Sequence, residues 1–171
     1  ASDGDTVYVD RRYFGVTPIE REVPPGLHGI CVVGSEGASW TEVLDLTSGS
    51  SRVVAPRFGL ETWPRIEHQE PGRILLRGSV PLTATFSSPD GTPPRNPRLH
   101  FPGLDATIRD LPLSPVDPER GVYVGIVDPR WIPMNQAVAY YFTVQTTDGQ
   151  TLCSELYRLT AVGEISEAMQ P

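Results

Sequence analysis

Apolar and polar residues alternate along this chain in short bursts. Residues 6–10, 19–23 and 28–32 each place like side chains on every second position, the period of a strand that covers one face. Between the first two bursts stands Gly15-Val16-Thr17-Pro18, where the proline ring holds Thr17 extended. Between the second and third stands Pro24-Pro25-Gly26, a run of turn-forming residues. Residues 40–46 predict a fourth strand, with Trp40, Glu42, Leu44 and Leu46 on one face, and residues 52–55 predict a short fifth.

The alternation stops over 57–64, a segment bracketed by Pro56 and Pro64, and a domain boundary is expected there. Beyond it, residues 66–70, 73–77, 81–86, 98–101 and 121–127 predict strands, the last as an apolar run of buried-strand length. Residues 137–147 and 150–160 flank Asp148-Gly149, the strongest hairpin signal in the chain. Residues 87–97 and 111–120 are rich in proline and read as irregular. The tail, 163–171, has mild helical character but is too short to hold a helix alone. The pattern predicts an all-β protein with no helix longer than about two turns.

Val7-Tyr8-Val9-Asp10, Gly15, Thr17-Pro18, Pro24, Gly26, His28, Ile30 and Val32 follow one another in an order that resembles the PEGA domain, a small β module common in bacterial envelope proteins. Two positions depart from the family pattern. Arg11 stands where glycine is usual, and the name-giving tetrapeptide reads Pro24-Pro25-Gly26-Leu27. In the second part, Tyr140-Tyr141-Phe142 and Asp148-Gly149 are similar to the last hairpin of bacterial extracytoplasmic Ig-like domains of the fibronectin type III sort. The two resemblances imply a PEGA-like β module at 1–58, an Ig-like β-sandwich at 64–162 and a tail at 163–171. They imply a periplasmic, cell-surface or secreted protein. The expected role is non-catalytic: a scaffold or spacer within a larger bacterial envelope protein, with an unidentified protein or envelope polymer as partner. The alternatives are the sensing ectodomain of a receptor or kinase, and a carbohydrate-binding accessory module of a secreted enzyme.

Composition narrows the chemistry. The 16 glycines and 18 prolines make up 34 of 171 residues, about a fifth, against roughly 12% in ordinary chains. Net charge is −7. Five arginines against eight acids give −3 for residues 1–58, and nine against thirteen give −4 for the rest. Neither part carries the basic footprint of a nucleic-acid binder. No run of 18 apolar residues occurs, so no helical span is expected. Ala1 opens a polar stretch, so an export signal is expected to have been removed or to lie outside this sequence. All 14 basic residues are arginine, which excludes Schiff-base chemistry and a P-loop lysine.

No motif for catalysis or metal binding stands out. His28, His68 and His100 are scattered, without metal-ligand spacing, and His28 reads as a packed structural residue. Gly34-Ser35-Glu36-Gly37 has the wrong register for a nucleophile elbow. The Asp-Gly pairs are what tight turns use. No cofactor is expected, and no catalytic activity. Cys31 and Cys153 lie one in each predicted domain and are expected to be unpaired. Trp63, in the linker, and Trp131, in a proline-flanked loop, offer stacking surfaces for a sugar or a partner; packing at the domain junction and at one end of the sandwich is their more usual fate. With Arg95, Arg98 and Arg130, in or beside loops 87–97 and 129–134, they form the candidate partner-binding set.

Overall fold

A two-residue turn at Asp10-Arg11 starts the fold. Both residues have positive φ, 51° and 65°, the conformation of a tight turn that suits the twist of a hairpin. It joins β1 (Thr6–Val9) to β2 (Arg12–Val16). β3 (Gly26–Val33) and β4 (Ser39–Leu46) complete an antiparallel sheet of order β2-β1-β3-β4. The computed structural model describes residues 4–34, 38–56, 58, 65–88, 90–105, 107–146 and 149–163.

The first hairpin corrects the strand expected at 19–23. The partner of β1 is β2, and residues 18–25 carry no strand. They cross one face of the sheet, and Ile19 sits so close over Gly15 that a Cβ there would fall 2.2 Å from its Cδ1. The alternation at 19–23 reports one-sided burial, not hydrogen-bonded pairing. β2 escaped notice because the ladder slips between Val7 and Tyr8, which breaks the period of two. Residues 52–55 likewise form no strand; they lie against the same face.

The remaining strands form a sandwich. β5 (Arg65–Glu67), β7 (Val80–Ser87), β11 (Val122–Val127) and β10 (Ser114–Asp117) make one sheet, in the order β10-β11-β7-β5. β6 (Gly72–Leu75), β14 (Tyr157–Val162), β12 (Ala137–Gln145), β8 (Arg95–Pro102) and β9 (Ile108–Pro112) make the other, in the order β6-β14-β12-β8-β9. β13 (Thr151–Cys153) pairs with β12 beside it. The first strand is thus split between the sheets, and its second half runs parallel to the last strand. That strand order is Ig-like, reached here from the pairing itself. β10 lies inside 111–120 and β9 runs into it, where proline argued for irregular structure. β9 and β10 are edge strands, where the missing N–H faces solvent.

The core lies between these two sheets. Leu82, Ala84 and Phe86 of β7 meet Leu99 and Phe101 of β8, Tyr140 and Phe142 of β12, and Leu159 of β14. Alternate residues of each strand point inward, as the period of two requires. Gly121 shows how tightly β11 enters: its φ is +68°, and a Cβ would lie 2.0 Å from the Phe86 carbonyl oxygen. Helix among the described residues is limited to single 3-10 turns at Pro118–Arg120 and Pro129–Trp131.

Candidate functional site

The first sheet meets the sandwich through the tip of its first hairpin and through β4, which lies against β13. Asp10 turns its carboxylate inward, accepting from the Gly29 N–H at 3.0 Å and bonding the His28 Nδ1 at 2.9 Å. His28 is buried and also reaches the Pro24 carbonyl at 2.7 Å, the packed and hydrogen-bonded role expected of it. Arg11 points the other way. Its guanidinium donates to Glu70 at 2.8 Å, lies 3.4 Å from Glu155, and stands 5.4 Å from the Tyr157 ring centroid. Glu70 also accepts from the Arg158 N–H, so the carboxylate ties β14 to Arg11. Hydrogen bonding to Glu70 pushes the Arg11 pKa further up. Beneath this clamp the backbones close up: a Cβ on Gly29 would lie 3.0 Å from the Leu156 Cβ.

A cleft of about 740 Å³ opens at this junction, lined by Trp40, Arg65, Glu67, His68, Ser154 and Tyr157 among others. Its polar groups are already engaged. Arg65 lies 3.1 Å from Glu67. His68 donates through Nδ1 to the Thr83 carbonyl at 2.6 Å and accepts at Nε2 from the Tyr140 hydroxyl at 2.7 Å. Burial lowers the His68 pKa, which favours this neutral, fully bonded ring. Ser154 donates to the Glu155 carbonyl and accepts from the Phe142 N–H. His100, stacked on Tyr141, bonds the Thr143 hydroxyl at 2.8 Å. Among the described residues neither His68 nor His100 is bonded to a carboxylate, and no group of three or more His, Cys, Asp or Glu could hold a metal. A general base needs a lone pair free to take a proton, and His68, bonded at both ring nitrogens, presents none.

Cys31 and Cys153 are free thiols on either side of the same junction. Burial pushes both pKa values up, against partial relief from Thr41 for Cys31 and from the Val43 backbone for Cys153. Neither is set up as a thiolate nucleophile.

The residues singled out from the sequence do not converge. Trp63 falls outside the described residues. Trp131 is half-buried, packs against the sandwich core and lies under the Arg109 guanidinium, 4.8 Å from its ring centroid. Arg130 is bound to Asp128, and hydrogen bonding from Arg130 holds that carboxyl down to about 2. Arg98 lies on Asn96 and 3.7 Å from Asp110, while Arg95 sits opposite Gln145 at the start of β8. A contact between the two parts was expected at Trp63 or its neighbours; Trp63 lies outside the described residues, Arg65 lines the cleft, and the part played by Arg11, Gly29 and Glu70 was missed. Its one signal in the sequence was Arg11 at a position where a tight turn favours glycine, a local rule broken without local reason.

Residues 1–51 match the PEGA domain family. No curated protein matches the chain. Among solved structures, the fibronectin(III)-like modules of Clostridium thermocellum CbhA share 13% identity over 99% of this chain and 83% of theirs, with a TM-score of 0.40. A Ca2+-stabilized adhesin that helps an Antarctic bacterium reach out and bind ice shares 13% identity over 95% of this chain and 41% of its own, with a TM-score of 0.39. The sandwich assignment rests on strand order and not on these likenesses. No described helix is long and apolar enough to cross a membrane.

Proposed function

We propose that this chain is a non-catalytic extracytoplasmic spacer, two β units held at a set angle within a larger bacterial envelope protein. The units are residues 1–58 and 64–162, followed by a tail at 163–171. The observation that carries the reading is the junction. Arg11 reaches across it to Glu70, Glu155 and Tyr157, and Gly29 lets the backbones approach beneath. A chain that only linked two independent modules would have no use for an arginine in a left-handed turn. The PEGA similarity of residues 1–51 supports the compartment. A protein or envelope polymer would then contact the part of the sandwich that carries Arg95 and Arg98 of β8 and the turn with Arg130 and Trp131.

Small-angle X-ray scattering tests this directly. The wild-type profile should fit one fixed arrangement of the two units. Gly29→Val should wedge Leu156 away and broaden the distance distribution while leaving the β signal in circular dichroism intact. A wild-type profile that needs an ensemble of orientations would end the spacer reading.

A further inference from the structure

The first sheet has a second face, turned away from the sandwich, and it is poorly filled. Only Val7, Val9 and Val32 of that face are buried; Ile30, Leu44 and Leu46 are half-exposed. The two arms that cross it, around residues 18–25 and 50–56, make no strand. They bring Ile19, Val23 and Val54 over the sheet without closing on it. Between arms and sheet lies a cavity of about 470 Å³, with more apolar than polar lining. That is within the roughly 300–1,000 Å³ of ordinary ligand sites.

Two arginines stand at this cavity, Arg21 from one arm and Arg52 from the other. Both are exposed. Neither has an ion pair or side-chain hydrogen bond with any described residue, as is also true of Arg12, Arg73 and the Arg158 side chain, whereas Arg11, Arg65, Arg98, Arg109, Arg120 and Arg130 each have a carboxylate within 4.0 Å. Glu20 and Glu22 flank Arg21 in sequence and share the neighbouring groove with both arginines, but they do not line this cavity and form no ion pair with either guanidinium. An aliphatic hollow beside two uncommitted guanidiniums has the polarity of one kind of molecule: an alkyl chain ending in an anion. The planar fork of arginine fits a carboxylate in particular.

We infer that this cavity binds a single-chain aliphatic carboxylate, with the chain between sheet and arms and the carboxylate between Arg21 and Arg52. The site lies on the face opposite the junction, so it stands or falls separately from the spacer reading. The arms can part to admit the chain because no ladder of hydrogen bonds holds them to the sheet. Affinity should come mainly from burying methylenes, at roughly fourfold for each one added.

Calorimetric titration of the whole chain with hexanoate, octanoate and decanoate is the test. Each two-carbon step should tighten binding by roughly fifteenfold. Decanol, equal in chain and lacking the charge, should bind about tenfold more weakly than decanoate. In the double variant Arg21→Gln, Arg52→Gln that difference should vanish while decanol binding stays unchanged. Val54→Phe fills the cavity from an irregular arm and should abolish binding of both. Absence of decanoate binding, affinity flat with chain length, or decanoate binding unchanged in the arginine variant each overturns the inference. The arginines are exposed and support no fold contact, so that variant tests the site even if Val54→Phe does not fold.

Discussion

Replacing Arg11 separates two effects that the turn superimposes. In Arg11→Ala the side-chain contacts go and the left-handed backbone stays. In Arg11→Gly both go, because glycine adopts that backbone without a Cβ clash. Arg11 is 46% exposed at the side chain and Glu70 is 29%, so the pair contributes about 0.5–1 kcal/mol after solvent screening. The Tyr157 ring adds about 0.5–1 kcal/mol, and the more exposed Glu155 little. The contacts thus amount to about 1–2 kcal/mol, against a left-handed cost of about 1–2 kcal/mol. Urea unfolding should therefore find Arg11→Ala destabilised by about 1–2 kcal/mol and Arg11→Gly within about 0.5 kcal/mol of wild type. A cycle of Arg11→Ala with Glu70→Gln should show coupling of about 0.5–1 kcal/mol. Equal losses in the alanine and glycine variants would refute the strain argument, and zero coupling to Glu70 would refute the clamp.

Gly121→Ala adds a Cβ 2.0 Å from a backbone oxygen at a positive φ. Thermal melts should fall by several degrees or more, while Gly49→Ala, with open space around it, should cost only about 1 kcal/mol. Burial lowers the folded-state pKa of His68 and His100, so the unfolded chain binds more protons just below its own histidine pKa. Stability is therefore full above about pH 6.5 and declines as pH falls through the window beneath it. His68→Gln with His100→Gln should flatten chemical denaturation midpoints across that window, and an unchanged slope would remove the histidines from the account. Both cysteines are free and both thiol pKa values are raised. Mass spectrometry after unfolding should show both alkylated without reductant, with slow native labelling at neutral pH; a requirement for reductant would contradict the free thiols.

The sandwich core was legible because each of its strands buries one face. Leu82, Ala84 and Phe86 stand at every second position of β7, and that periodicity survives in the text of the chain. The first sheet was legible only in part. Residues 19–23 alternate as a strand would, yet the neighbouring place beside β1 goes to β2, brought back at once by the Asp10-Arg11 turn. A period of two records which side is covered, and it does not record which segment holds the hydrogen bonds. The junction left almost no periodic trace, since it is made by one guanidinium, one missing Cβ, two carboxylates far apart in sequence and the approach of β4 to β13. Arg98 and Arg130 stood out as charges in or beside loops, yet Arg98 lies in β8 and neighbouring acids had already claimed both.

The division of the first sandwich strand has a mechanical consequence. β6 runs parallel to β14, with Gly72 opposite Leu159 and Leu75 opposite Val162. Tension along the chain pulls β6 backward from Gly72 and β14 forward from Val162, so the strands are dragged past one another lengthwise. Their cross-links must then give way together, where a hairpin loaded at its open end would peel one link at a time. A chain wired in this way should resist stretching far more than its modest count of bonds there would indicate.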